Sequence, residues 1–571
     1  MTQKKHLLLF TIGPVQSFIA QARKTQDLYA GSRILSDLIY HAMWWATNEW
    51  KNHNNVSIIY PYFTSKEKGS YPNRFVTQYS GDDVREFGEA LKCEVYRFFH
   101  EGIVYKSIGK EAYKVCEHQI IDFLEIYWVA VSSSDNYQES MTRVEKELAA
   151  IKNYRAFKQL PLPESGRKCA LNGFYNALFY CKTAKDGDDV GRKKHLDAKC
   201  KIFESNDNLS KLQAGEGLCG ISFVKRKYSN APSFDSTADI ALMHTINTLQ
   251  RNEEGKKALE DFAKHFDKNL SNMNGQLFFR ENLNYDYLTS QGENNKDIHV
   301  ALRSLDKIEQ LAGRESLKLH RYYAMLVFDA DNMGKKISSC QSIDAHKKLS
   351  EKLVAYAACA KRIIDNKYGK SIYAGGDDFL GMLTLRTIFC ALKDLRQKFA
   401  DDFEEELTFS AGVCIAHYKT PLGEVLNYAR SMEKKAKKHR DEKDCLGIAV
   451  LKHSGEIHET ILPWKIEDKW ITEILSGITK ELDSNFSPKF IKQLNKEVAI
   501  WETKAADKKF PDISKHEIRR LVERQKKGTA GDADALSSEI QTIYDYTSAI
   551  SNSTEYFINA LNVCDFINRK F

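Results

Sequence analysis

The sequence predicts an α+β protein: two ferredoxin-like palm domains, an irregular and helical middle region, and a helical C-terminal domain. Three observations predict it. A βαββαβ order of apolar runs occurs twice, over residues 7–131 and again over 323–417, as a repeat of pattern rather than of letters. The second copy places Gly375-Gly376-Asp377-Asp378 between two β-rich runs, a strong hairpin signal, because primed turns need φ > 0 at their central residues. Between and after the two copies the apolar period is helical or absent. The resulting domains are 1–149, 150–230, 231–320, 321–465 and 466–571.

Each element follows from its local pattern. In the first copy residues 7–12 are an apolar run of strand length, and Pro14 sits where a helix begins. Residues 15–49 keep apolar side chains at three- and four-residue spacing, which predicts one long helix. Residues 57–60 and 74–78 are short strands, 82–99 a helix and 124–131 the closing strand. In the second copy 323–328 is a strand, 345–367 an amphipathic helix, and 371–374 and 379–383 are the arms of the hairpin. A helix at 387–403, a strand at 407–417, a helix at 422–439 and a strand at 446–452 complete it. Residues 150–230 are irregular and hold Cys169, Cys181, Cys200 and Cys219. Residues 235–318 are helical apart from a polar stretch at 288–297. After Trp464 the pattern is helical to the end, interrupted around 526–534.

The 571 residues are too many for one ordinary core. Hydrophobic content of 42% with 28% charged residues excludes a disordered or membrane-embedded chain. Lys and Arg number 84 against 77 Asp and Glu, a net charge of +7 that permits a phosphate- or RNA-binding face without demonstrating one. Twelve scattered cysteines fit a reducing cytoplasm. Lys4 and Lys5 before the apolar run to Val15, with Ala20-Gln21-Ala22 beyond, resemble a secretion signal, but Gly13, Pro14 and Gln16 interrupt the run. No apolar stretch has the length needed to span a bilayer, so no membrane partner is expected.

Chemistry concentrates on the second copy. If its first strand lies beside the hairpin, Asp329 and Asp331 face Asp377 and Asp378. Four carboxylates that close repel one another unless a cation neutralises them. Two Mg²⁺ or Mn²⁺ ions would satisfy them, share their shell with substrate phosphates and promote attack by a hydroxyl. Gly375 and Gly376 let phosphates approach the backbone. Asn332, Gly334 and Lys335, with Lys336, follow the first carboxylates, and Lys434, Lys437 and Lys438 decorate the later helix as candidate phosphate counter-charges.

These motifs resemble those of the large polymerase/cyclase subunit of type III-B (Cmr-type) CRISPR effector complexes. The resemblance rests on Ile12-Gly13-Pro14-Val15-Gln16-Ser17-Phe18-Ile19, Ala22-Arg23-Lys24-Thr25 and Gly31-Ser32 in the first copy. Pro72-Asn73-Arg74-Phe75 and Ile126-Tyr127-Trp128-Val129 extend it, and Gly215-Glu216-Gly217-Leu218-Cys219 with Val224-Lys225-Arg226 carries it into the middle region. Asp329-Ala330-Asp331-Asn332-Met333-Gly334, Gly375–Asp378 and Ser410-Ala411-Gly412-Val413 complete it, over about residues 6–460.

The resemblance implies an RNA-activated nucleotidyltransferase that converts ATP to a cyclic oligoadenylate messenger. Asp377, Asp378 and Asp329 would be catalytic metal ligands. Asp331 would be a further ligand or would orient its neighbours. Gly375, Gly376, Asn332, Gly334, Lys335, Ser410 and Lys437 would bind nucleotide. Gln16, Ser17 and Ser32 would line an acceptor pocket in a first palm without metals of its own. Other Cmr-type subunits, guide RNA and target RNA are the implied partners, with single-stranded DNA a further candidate.

Two departures from the family matter. No His-Asp dipeptide occurs among the 16 histidines, so the DNA-cutting domain of many relatives is not expected. The family's two Cys-x-x-Cys pairs read here Cys169-Ala170-Leu171-Asn172 and Cys219-Gly220-Ile221-Ser222. A structural zinc needs four ligands, so Cys169 and Cys219 would need Cys181, Cys200 or His195, and zinc is not expected. Three rival readings stay open: AMP transfer to another acceptor such as S-adenosylmethionine, a diguanylate-cyclase-like enzyme, and a non-catalytic scaffold.

Overall fold

The computed structural model describes residues 4–568, excluding 65–68, 155–163, 184, 205–210, 232, 291–296, 405, 485–489, 503–509, 526–532 and 550–553. Most of the expected interruptions at 288–297 and 526–534 therefore lie outside the described residues.

Two sheets dominate. The first runs β1 (Lys5–Gly13), α1 (Gln16–Ala20), α2 (Thr25–Asn48), β2 (Val56–Tyr60), β3 (Arg74–Ser80), α3 (Val84–Arg97), α4 (Lys110–Ile120), β4 (Glu125–Ser132) and α5 (Tyr137–Asn153). Its strand order is β2-β3-β1-β4, all antiparallel, which is the expected palm. Apolar alternation sets the two faces of β1. Leu8 and Phe10 pack under α2 and α3, whereas Leu7 and Leu9 face α5 through Val144 and Leu148.

The middle region holds a small sheet of β5 (Phe179–Cys181), β6 (Lys201–Phe203) and β7 (Gly217–Leu218), then α6 (Gly220–Lys227). The helices α7 (Thr237–Leu249), α8 (Glu253–Lys264) and α9 (Ile298–Arg314) form a separate core around Leu242, Phe262 and Leu305.

The second palm comprises β8 (Tyr322–Ala330), α10 (Met333–Ser338), α11 (Ile343–Ile363), β9 (Gly369–Ala374), β10 (Asp378–Thr384), α12 (Ile388–Phe403), β11 (Phe409–His417) and α13 (Leu422–Lys438). β12 (Cys445–Leu451) and β13 (Ile457–Pro463) follow, in a sheet ordered β13-β12-β11-β8-β10-β9. Among the described residues five helices follow: α14 (Ile471–Ser484), α15 (Phe490–Glu502), α16 (Phe510–Gln525), α17 (Ala533–Ser548) and α18 (Thr554–Asn568). Their apolar stripes are spent within the chain. Phe566 meets Tyr322 edge-on at 4.8 Å, and Thr460 and Asn559 hydrogen-bond across to join β13 and α18.

Three differences from the sequence reading have physical causes. The helix expected over 15–49 breaks between α1 and α2. There the buried Lys225 ammonium donates to the carbonyls of Phe18, Ile19 and Gln21, and the Asp27 carboxylate accepts from the amides of Arg23 and Lys24. Backbone groups released at a helix end must find partners, and these two side chains supply them. The helix at 82–99 continues through a π-helical turn, Phe98–Tyr105, and leads to α4, which the reading missed. β13 was also missed, being an edge strand recognised only by its ladder to β12.

Candidate active site

Register builds the site. Asp378 is the first residue of β10 and Asp329 the penultimate residue of β8, and they form the terminal pair of that antiparallel ladder. The Ala330 amide donates to the Asp377 carbonyl at 2.8 Å, tying the hairpin tip to the end of β8. The glycines make this possible. Gly376 sits at φ +108°, and a Cβ on Gly375 would strike the Tyr373 hydroxyl and lie 2.6 Å from Asp378 Oδ1. Asp329, Asp377 and Asp378 are thus brought together as expected.

Their electrostatics are those of an under-neutralised cluster. Burial and the neighbouring Asp329 push Asp377 up to about 6. Burial, then Asp377 and Asp329, raise Asp378 well above the usual carboxylate range, and its Oδ1 is buried without a hydrogen-bond partner. Lys437 bonds the outer oxygen of Asp329 and lies 3.1 Å from Glu433. Burial opposes the Lys437 charge, yet Asp329 and Glu433 hold its pKa above the ordinary value. Among the described residues no three acidic, His or Cys side chains converge as a finished metal shell. An orphaned carboxylate oxygen, two carboxylates driven toward protonation and an ammonium on the third are what a divalent cation would relieve, so the three aspartates fit one.

Two of the expected site residues bond within the protein. Asp331, expected among the metal ligands, is buried and spent on the protein. It accepts from the hydroxyls of Thr408 (2.9 Å) and Ser410 (3.0 Å) and from the Asp444 amide (3.1 Å). These bonds tie the end of β8 to β11 and to the start of β12, the arrangement the orienting alternative calls for. Ser410, expected to bind nucleotide, is fully buried in that same network and accepts from the Cys445 amide.

A cavity of about 380 Å³ opens between the palms over Asp329 and Asp378. Of the three residues expected in the first palm's acceptor pocket, Gln16 and Ser32 line this cavity, whereas Ser17 is exposed and does not. Asn332, Gly334 and Lys335 stand exposed at the start of α10, where Asn332 accepts from Lys443. Lys434 lines the cavity, Lys437 sits on Asp329, and Lys438 is exposed. Tyr71, Asn73, Tyr373 and Arg430 line it too and were missed. Arg430 was findable, since it lies seven residues before Lys437 on one helical face and donates to the Gln16 carbonyl at 3.4 Å. A second cavity of about 330 Å³ lies behind Tyr373, sharing Ser32 and Tyr71 with the first.

The degenerate zinc pairs do meet. The Cys169 and Cys219 thiols both donate to the Ser222 hydroxyl, at 3.4 and 3.2 Å, and Asn172 donates to the Cys219 sulfur at 3.1 Å. Asn172 and Ser222, each three residues after its cysteine, thus meet the two thiols. Cys181 and Cys200 bond backbone carbonyls elsewhere.

Residues 322–447 match the family model for the Cas10/Cmr2 second palm domain, and residues 7–96 match that for the N-terminal region of CRISPR-associated protein Cmr2. The chain is 24% identical to the CRISPR system Cmr subunit Cmr2 of Pyrococcus furiosus, covering 95% of this chain and 72% of that one. Its fold is similar to a chain of type III-B Cmr-beta bound to cognate target RNA. The TM-score is 0.70 at 13% identity, over 99% of this chain and 83% of that one. The apo state of Cmr-beta gives a TM-score of 0.64 at 15% identity, over 99% and 82%.

Proposed function

We propose that this chain, a member of the Cas10/Cmr2 family, is the nucleotidyltransferase subunit of a type III-B CRISPR effector complex, and that it converts ATP to cyclic oligoadenylate when target RNA is bound. The observation that carries the chemistry is the Asp378–Asp329 pair at the end of its ladder, both residues lining a nucleotide-sized cavity between two palms.

Asp329, Asp377 and Asp378 would hold two Mg²⁺ or Mn²⁺ ions. Bound there, the ions would favour the 3′-alkoxide of the attacking nucleotide and take up charge on the leaving pyrophosphate. The remaining work falls to the chain. Lys437, released from Asp329, neutralises phosphate oxygens as a point charge, with Lys434 and Arg430 beside it. Gly375 and Gly376 leave room for phosphate to approach the turn. Gln16, Ser32 and Asn73 of the first palm, lining the opposite wall, orient the second nucleotide. Guide RNA, target RNA and other Cmr-type subunits are the proposed partners, in the cytoplasm. No helix among the described residues is long and apolar enough to cross a membrane.

The test is product identification by mass spectrometry. Assembled complex with target RNA and Mg²⁺ is given ATP alone, ATP with S-adenosylmethionine, or GTP. Cyclic oligoadenylate from ATP alone, lost in Asp377→Ala/Asp378→Ala, supports the proposal. An adenylylated acceptor, a GTP product or undiminished synthesis by the double variant would each replace it.

A further inference from the structure

Part of the first-palm wall of the catalytic cavity is carried by a very short helix. Val15, at the entry to α1, and Gln16 and Ile19 within it line the cavity over Asp329 and Asp378. α1 spans five residues, so its own hydrogen bonds leave most of its carbonyls unfilled, and a segment this short does not hold a helical shape alone. At its start the Arg430 guanidinium of the second palm donates to the Gln16 carbonyl at 3.4 Å. Its other end rests on one side chain of the middle region.

That side chain is Lys225 of α6, 1% exposed. Its ammonium donates to the Phe18 carbonyl, to that of Ile19 at 3.4 Å and to that of Gln21 at 2.8 Å, and lies 4.6 Å from the centre of the Phe18 ring. An ammonium has three N–H donors, and three carbonyls receive them here. Asp27 is near, but its carboxylate is taken by Arg226 and by the Arg23 and Lys24 amides. The lysine stem passes so close to α2 that a Cβ on Gly31 would lie 2.5 Å from Lys225 Cε.

We propose that Lys225 is a positioning residue: its ammonium pins α1 and thereby fixes Val15, Gln16 and Ile19 as a wall against the bound nucleotide. What the cavity binds rests on the nucleotidyltransferase reading, whereas the pin itself does not. The pin depends on charge. Burial lowers the Lys225 pKa from 10.5 to about 8, and Arg226 on the same helix acts the same way. Asp27 of α2 and the Cys219 and Cys169 thiols favour the charged form, and α1 brings no titratable group. The neutral amine has two N–H donors and a lone pair for the same three oxygens, so the pin is complete below pH 8 and slackens above it.

Two measurements test this. The first is amide hydrogen exchange of residues 15–24 in the full chain from pH 7 to 9.5, corrected for the intrinsic rate, with β8 as the internal reference. Protection of 15–24 should fall about tenfold above pH 8 in wild type, as loss of a charged hydrogen bond predicts, while β8 stays protected. It should be low at every pH in Lys225→Met, and also in Gly31→Ala, which crowds the lysine stem without removing its charge and carries the readout if Lys225→Met fails to fold. The second is the KM for ATP of assembled complex with target RNA and Mg²⁺, which should rise several-fold over this pH range in wild type and stay flat in Gln16→Ala. Wild-type protection that ignores pH, or protection that survives in both variants, would overturn the pin. An ATP KM that rises equally in Gln16→Ala would make Lys225 a purely structural residue and overturn its part in the reaction. A pH-dependent protection in a complex that makes no product from ATP would uphold the pin and sink the nucleotidyltransferase reading instead.

Discussion

The Lys437 ammonium is bonded to the Asp329 carboxylate, in the place where a metal ion would otherwise neutralise it. On the proposed role of Asp329, a cation entering the site would displace this ammonium and leave it free to meet phosphate.

Lys437→Met should therefore have two opposed effects. Mg²⁺ binding to the nucleotide-free protein should tighten by up to about fivefold, since a partly exposed ion pair contributes about 0.2–1 kcal/mol. The KM for ATP should rise roughly 10- to 100-fold, because a charged hydrogen bond to phosphate contributes about 1.5–3 kcal/mol. Thermal melting across a Mg²⁺ series and steady-state kinetics measure the two. Weaker Mg²⁺ binding in the variant would show that Lys437 supports the cation rather than competing with it.

Asp331 and Asp329 are two residues apart, one just beyond the end of β8 and one within it, but should separate cleanly on substitution. Asp331→Asn removes an acceptor that serves two hydroxyls and an amide, costing about 1–3 kcal/mol of stability while the Mg²⁺-induced rise in melting temperature survives. Asp329→Asn should leave stability near wild type in EDTA and abolish that rise. A Mg²⁺ response lost in both variants would restore Asp331 to the metal site.

The contrast between these aspartates marks what the sequence could reveal. Acidic residues around two glycines between apolar runs announced the turn, and the strand order placed Asp329 beside Asp378. Side-chain direction was not legible. Asp331 lies beyond the end of β8, where alternation no longer dictates a face, and the hydroxyls that capture it come from residues 408 and 410, far along the chain. Likewise 15–49 reads as one helix because its apolar spacing barely falters. The break is imposed by Lys225, some two hundred residues away.

The interface between the palms should be acid-sensitive through His346. The ring stacks on Tyr60 at 5.8 Å and accepts or donates a 2.7 Å bond with Tyr137, both of the first palm. Burial, with Arg74 adding to it, lowers its pKa from 6.5 to about 4. The unfolded chain thus takes up this proton first, so stability is intact above pH 6.5 and is lost as pH falls toward 4, by about 3 kcal/mol in all. Because His320 and His417 are shifted the same way, the readable quantity is the difference between wild type and His346→Phe. Denaturant unfolding from pH 7 to 4 should show the deficit of the variant shrinking. A pH-independent difference would mean the ring does not stay neutral.

Arg226 should be the most costly residue to truncate outside the catalytic cleft. Its guanidinium, 2% exposed, bonds Asp27 at 2.5 and 2.9 Å and Glu216 at 2.8 and 3.0 Å, both carboxylates being buried. The ion triad joins α6 to the start of α2, and Lys225 next to it holds the end of α1, whose Gln16 lines the catalytic cavity. Removing the cation alone strands two carboxylates in a dry interior, at about 3–5 kcal/mol. Arg226→Met should accordingly melt far below wild type, and Arg226→Met/Asp27→Asn/Glu216→Gln should regain most of the loss because no buried charge is left over. Recovered stability with nucleotide binding still weakened would place the triad's role in positioning α1. A triple variant no more stable than the single one would mean that packing, and not charge, holds this junction.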